Sequence, residues 1–211
     1  MSGVIRDAYL GAAAVAATLL HDPAVADRWS APSALPDFSV AGLARHLANQ
    51  VTHTVALLAA PPAATAIPVL AHFTGNEWTT TGTDSEANVG IRRRGERDAA
   101  ATTPAALADT TDAALAELRR IVPGEPVDRI VDVGDWGLRV DDFLLTRLME
   151  LVVHGDDLAV SVGVPTPEMP PAATEATIDL LARVAAWRHG PLAVVRALSR
   201  TERAPATISA L

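Results

Sequence analysis

The chain has no cysteine and no lysine among its 211 residues, and only 4% of it is aromatic. Without cysteine there is no disulfide, no thiolate metal site and no cysteine nucleophile, so any sulfur chemistry must use a thiol carried in by a substrate. Without lysine, all 17 basic residues are arginine. With abundant Ala, Val and Pro, that absence reads as GC-rich coding of the kind found in actinobacteria, which speaks to source and not to mechanism. Positive charge is also in short supply: the formal net charge is −8, which argues against a phosphate-backbone partner. No uninterrupted apolar run reaches the ~18 residues needed to span a bilayer. Arg6 and Asp7 stand where a signal peptide would build its apolar run. The expectation is a cytoplasmic protein, monomer or homodimer, with no nucleic-acid and no membrane partner.

What is present is a mainly helical pattern, long enough for one domain with a full core and a short appendage. An Ala-rich helix is predicted over Val4–Leu20, followed by a Pro- and Asp-rich linker. Ser39 is placed to cap a second helix that Pro61 and Pro62 end. Residues 63–73 are Ala-rich but carry Pro68, which predicts a short or broken helix. The stretch TGNEWTTTGTDSEANVGIRRRGERDAA reads as a long polar loop, with Trp78 as an anchor to the core or a pocket wall. Helix three is predicted over Pro104–Ile121, with Leu107, Leu115 and Leu118 inward. A small β-hairpin follows in VDRIVDVGDWGLRVDDF, and Asp141 or Asp142 caps the next helix, which Gly163 and Pro165 terminate. Two short helices, 172–188 and 191–199, and a tail across the bundle surface complete the reading, with the boundary between bundle and extension near 165/166.

The residues that point to chemistry form a polar stripe in an otherwise apolar helix. In FLLTRLMELVVHGDDLAVSV it consists of Arg147, Glu150, His154, Asp157 and Ser161. Glu150 and His154 are four apart, which sets their Cβ atoms roughly 5–6 Å apart on one face, close enough to grip one metal ion. The second helix presents Val40, Leu43, Leu47, Val51, Val55 and Leu58 on one face and Arg45, His46, Asn49, Gln50 and His53 on another. Two such helices packed ~8–10 Å apart bring His46 to the Glu150/His154 pair and close a three-ligand site. Spacing alone leaves a solvated polar face open as the plainer reading.

At these residues the sequence resembles the DinB-like superfamily, and within it the mycothiol-dependent maleylpyruvate isomerase family. The resemblance is carried by LPDFSVAGLARHLANQ, TRLMELVVHGDDLAVSVG and RHGPLAVVRALSRTERAP. It implies a DinB-like four-helix bundle with a small β-hairpin before the last bundle helix and short C-terminal helices. It further implies a divalent metal held by His46, Glu150 and His154: zinc, with nickel, iron or manganese as alternatives. Two-domain maleylpyruvate isomerases carry a separate C-terminal domain that contributes to the active site, whereas here only a short stretch follows Gly163. That departure bears on maleylpyruvate as substrate and leaves general thiol chemistry open.

The function expected is a metal-dependent enzyme that activates a low-molecular-weight thiol, mycothiol by resemblance, for transfer to a small electrophile or for thiol-assisted isomerisation of it. Asp157 is placed to hydrogen-bond a ligand imidazole or equally to lie on the helix surface, His53 to act as acid, base or substrate contact against the plainer reading of a structural histidine, and Arg147 to orient Glu150 or to pair elsewhere. Arg92, Arg93 and Arg94 are candidates to receive a carboxylated substrate or the thiol cofactor, against the plainer reading of a solvated basic loop. The alternatives are a non-catalytic bundle that binds a metal or metabolite, and a purely structural one whose stripe faces water.

Overall fold

The computed structural model describes residues 2–75 and 85–211. In chain order these form α1 (Ser2–Leu20), α2 (Pro23–Asp27), α3 (Val40–Ala59), α4 (Val69–Thr74), α5 (Glu86–Ala99), α6 (Pro104–Ile121), β1 (Ile130–Asp132), β2 (Gly137–Arg139), α7 (Val140–Val162), α8 (Pro171–His189) and α9 (Pro191–Ser199). α1 and α3 each pack against both α6 and α7, which closes a four-helix bundle. The hairpin pairs β1 with β2 antiparallel, Val131 opposite Leu138, and leads directly into α7.

The bundle core follows from small residues on one helix and large ones on the others. α1 buries Ala8, Ala12, Ala13, Ala16 and Ala17, so its backbone can come close to its neighbours. α3 contributes Leu43, Leu47 and Val51, α6 Leu107, Leu115 and Leu118, and α7 Leu144, Leu148, Leu151 and Leu158. A second cluster sits on another side of α7, where Met149 meets Val69, Phe73, Leu180 and Val184. α7 is thus clamped between two apolar masses, which explains why its polar residues are confined to a narrow strip.

By length and composition alone, Gly3–Leu20 would suffice to cross a bilayer. In the fold its apolar residues serve the bundle core, and Arg6 is buried as well. The Arg6 Nε donates to Asp141 Oδ1 at 2.8 Å, and an Nη donates to the carbonyls of Val122 and Glu125 at 3.2 and 2.7 Å. A charge this deep needs such partners, because an unpaired buried guanidinium would cost several kcal/mol.

Several predicted boundaries hold and others need correction. Ser39 caps α3, its Oγ accepting from the Gly42 N–H, and Gly163 ends α7 in the left-handed conformation at φ 75°. Asp141 and Asp142 do not cap α7: Arg139 holds the cap position without a side-chain bond, and both aspartates lie in the first turn, where they suit the helix dipole. The short helix expected over 63–73 begins only after Pro68. The tail runs along α8, with the Ser209 carbonyl 2.7 Å from His189 Nε2, and Ala210 packs against the cluster that Met149 of α7 shares with α4 and α8.

The largest correction is the polar loop, most of whose second half is the helix α5, with Arg92, Arg93 and Arg94 on it. Gly90, Gly95 and a charged composition weaken its intrinsic helix signal. Ser85 caps its start, its Oγ accepting from the Asn88 N–H. Its packing supplies the rest, since α5 lies against α3. Glu96 reaches across, accepting from the Ser39 N–H at 2.7 Å and the Ser39 hydroxyl at 2.9 Å. Trp78, expected in that loop, lies outside the described residues.

Close approach of α3 and α5 requires Gly42, where a Cβ would sit 2.5 Å from both Glu96 Oε1 and the Phe38 ring. Gly42→Ala is expected to cost about 2 kcal/mol through overpacking, read as a lowered denaturant midpoint. Gly124→Ala serves as the control, because a Cβ there meets nothing within 4 Å.

Candidate metal centre

α7 places Glu150 and His154 one turn apart, and α3, packed against it, brings His46 to the same point. The ligand-type atoms of these three residues all lie within 4.8 Å of one another. Both imidazoles address one carboxylate oxygen: His46 Nε2 is 3.2 Å and His154 Nε2 3.0 Å from Glu150 Oε2. The two rings meet edge to face, centroids 4.7 Å apart at 84°. Side-chain exposures of 23%, 12% and 19% for His46, Glu150 and His154 leave the trio recessed but not sealed from solvent.

Neighbouring residues hold each member in place. Asp157 accepts from His154 Nδ1 at 2.9 Å, which turns Nε2 toward the centre. Gln50 donates its amide to the His46 carbonyl at 2.9 Å, with the same nitrogen 3.5 Å from His46 Nε2. Gln50 Oε1 in turn accepts from an Arg147 Nη at 2.7 Å. Arg147 therefore does not bond Glu150; besides Gln50 it reaches Thr146 Oγ1 at 3.1 Å. Ser161, the last member of the stripe, accepts from the Ala34 N–H at 2.8 Å and ties the linker before α3 to α7.

The electrostatics follow from this crowding. Burial opposes ionisation of Glu150, but the hydrogen bonds of His154 and His46 outweigh it and hold the carboxyl well below its usual range. Burial likewise opposes charging of His154, yet Asp157 and Glu150 lift its pKa to about 9. Glu150 is thus an ionised carboxylate between two imidazoles, a donor set at which a cation would compete with a proton. Two imidazoles and one carboxylate also suit a divalent ion that keeps open positions. By donor chemistry and convergence, the residues present fit such an ion.

A family model described as the mycothiol maleylpyruvate isomerase N-terminal domain matches residues 10–159. The chain belongs to that family. The match runs from within α1 almost to the end of α7 and includes His46, Glu150 and His154. No curated protein and no solved structure matches the chain. Family membership implies metal binding and a link to mycothiol.

The remaining candidates stand farther out. His53 is exposed on α3 and makes no hydrogen bond among the described residues; burial of part of its ring and the Arg45 charge lower its pKa. Arg92 is half-buried with Asp37 at 3.9 Å, while Arg93 and Arg94 are exposed on α5. No ion pair or hydrogen bond joins these arginines to the trio among the described residues.

Sequence reading passed over His72 and Trp136. His72 lies on α4 and is 9% exposed; its Nδ1 accepts from Trp136 Nε1 at 3.1 Å. Its signal was a single histidine in the apolar run PVLAHF, too weak to read without the hairpin beside it. Burial lowers the pKa of His72 to about 4, with help from Arg147 against the opposing pull of Glu150. A depressed histidine pKa means that the unfolded chain takes up the proton first, so the stability due to His72 is present above pH about 6.5. It is lost as pH falls through about 4. Urea titrations across that window should show a loss on the order of 2 kcal/mol, and His72→Phe should flatten the slope.

Proposed function

We propose that His46, Glu150 and His154 bind a divalent cation, zinc in the first instance, and that the protein uses it to activate mycothiol, or a closely similar cytoplasmic thiol, toward a small electrophile. The observation that carries this reading is the convergence of two Nε2 atoms on the same Glu150 oxygen, at 3.2 and 3.0 Å, among side chains that keep some exposure to solvent. A cation held there would raise the thiolate fraction of a coordinated thiol, which at pH 7 is only a few per cent, by roughly thirtyfold.

The chain's own groups prepare the site. Asp157 keeps the proton on His154 Nδ1, so that the Nε2 lone pair can face the centre. The Arg147–Gln50 bond fixes the amide that holds His46 at the α3–α7 contact. Glu150 supplies negative charge that offsets two positive charges in part, leaving the centre cationic enough to attract a thiolate. Because the chain has no cysteine, no protein thiolate competes for the centre or for the electrophile. In this reading residues 1–165 carry the chemistry, and 166–211 are an extension packed on α1 and α7. Arg92, Arg93, Arg94 and His53 remain candidates for contacts to the body of a substrate.

Metal quantitation on protein purified without chelator tests the centre. Wild type should carry about one divalent ion per chain, with His46→Ala and His154→Ala losing it, and mycothiol consumption with a generic electrophile should vanish in both variants. A wild type with no stoichiometric ion ends the proposal. Asp157→Asn keeps all three ligands and is expected to weaken zinc affinity by roughly 10–100-fold, measured by competition with a chromogenic chelator.

A further inference from the structure

We propose that the cleft between α7, α8, α9 and the C-terminal tail binds one apolar chain with an anionic head, a medium-chain carboxylate, apart from the metal centre. The cleft exists because of small side chains. Gly190, at φ 84°, turns the backbone so that α9 packs back on α8. Toward this space α8 presents Ala182 and Ala185, whose side chains end at Cβ. What they leave open is a cleft of about 430 Å³, with Val153 of α7, Leu181 of α8, Val194 of α9 and Ile208 of the tail in its walls. It continues the apolar cluster around Met149, against which Val153, Leu181 and Ala210 pack. None of the three proposed metal ligands lines it.

The walls fix the body of an occupant. Ser209 is the one polar residue among the described lining residues, and its hydroxyl already donates to the Leu211 carbonyl at 2.8 Å. A ligand held there is therefore apolar along its length, and the volume falls in the ~300–1,000 Å³ range of small-molecule sites. The rim is apolar too: Ile178 is 59% and Leu198 76% exposed, side chains that an occupant would draw out of water.

Charge decides the head. Residues 181–211 carry five arginines against one acidic residue, a formal +4 in a chain whose total is −8. Arg188 brings that charge to the cleft itself, its Nη1 donating to the carbonyl of the lining residue Ala210 at 3.4 Å. It is exposed and has no ion pair among the described residues. A carboxylate at the end of the bound chain would meet this guanidinium, whereas an ammonium would be repelled. A symmetric dimer through the same face would set basic segment against basic segment, and a flat bilayer surface would leave the concavity unfilled.

Methyl NMR on the isoleucines locates the ligand. Decanoate added below its micellar concentration should shift the methyls of Ile178 and Ile208, saturate at one equivalent, and leave Ile5 and Ile121 at the bundle core in place. Shortening the ligand to octanoate should weaken binding roughly 10–15-fold, the loss of two buried CH2 groups. Decylammonium should bind about fivefold more weakly than decanoate, and Arg188→Gln should erase that preference. Leu198→Glu, at an exposed position, should weaken decanoate binding roughly tenfold at an unchanged thermal midpoint. Decanoate that moves neither Ile178 nor Ile208, or that decylammonium outbinds, overturns the proposal. Sedimentation with phosphatidylglycerol vesicles in the absence of any shift by free decanoate would assign the face to a membrane, and a dimer that Leu198→Glu dissociates would assign it to a second copy; either result ends the proposal.

Discussion

Glu150 is the group on which the arrangement depends. A carboxylate 12% exposed cannot stay ionised in a helical bundle unless hydrogen-bond donors surround it. Two imidazoles supply them, one from its own helix and one from α3. The consequence is reciprocal: the acid stays charged because the bases are near, and His154 holds its proton because the acid is near. Removing any one member leaves the others buried and unbalanced, at a cost of roughly 3–5 kcal/mol for a fully buried pair. That figure is an upper bound for groups with this much residual exposure. A cation in the centre would satisfy the same lone pairs with the protons gone, so the fold accommodates either form without rebuilding.

That economy depends on α7 being held rigidly. Its apolar residues face two separate masses, the bundle core through Leu144, Leu148, Leu151 and Leu158, and the α4–α8 cluster through Met149. Only a strip is left for polar groups, and several are engaged: Asp141 by Arg6, Arg147 by Gln50, His154 by Asp157, Ser161 by the Ala34 amide. α3 is fixed as firmly at its start, where Ser39 caps it and Glu96 of α5 holds Ser39. The position of His46 relative to α7 is therefore set by contacts at both ends of its first two turns. A three-ligand centre needs that degree of control, because small displacements of a ligand weaken coordination sharply.

Much of this was legible in the sequence. Helical periodicity gave the four bundle helices, and the spacing of Glu150 and His154 placed them on one face before any coordinates. The second stripe on α3 offered both His46 and His53, and the family resemblance singled out His46. α5 was not legible, since two glycines and a run of arginines disguise a helix whose order comes from packing against α3. Arg147 was legible only as a choice between Glu150 and a partner elsewhere; the partner is Gln50 across the bundle, which spacing along one helix does not single out. His72 and Trp136 are 64 residues apart in sequence. No local pattern links them.

The two buried histidines near Glu150 show how one side chain is given opposite tasks. At His154 a carboxylate accepts from Nδ1, so that nitrogen keeps its proton and Nε2 can offer a lone pair. At His72 an indole donates to Nδ1, so that nitrogen must carry the lone pair and Nε2 the proton. Burial acts on both rings in the same direction, against charge; only the partner on the far nitrogen differs. The pKa values diverge accordingly, about 9 at one and about 4 at the other. A carboxylate on one ring and an indole on the other thus decide which nitrogen of each imidazole must carry the proton.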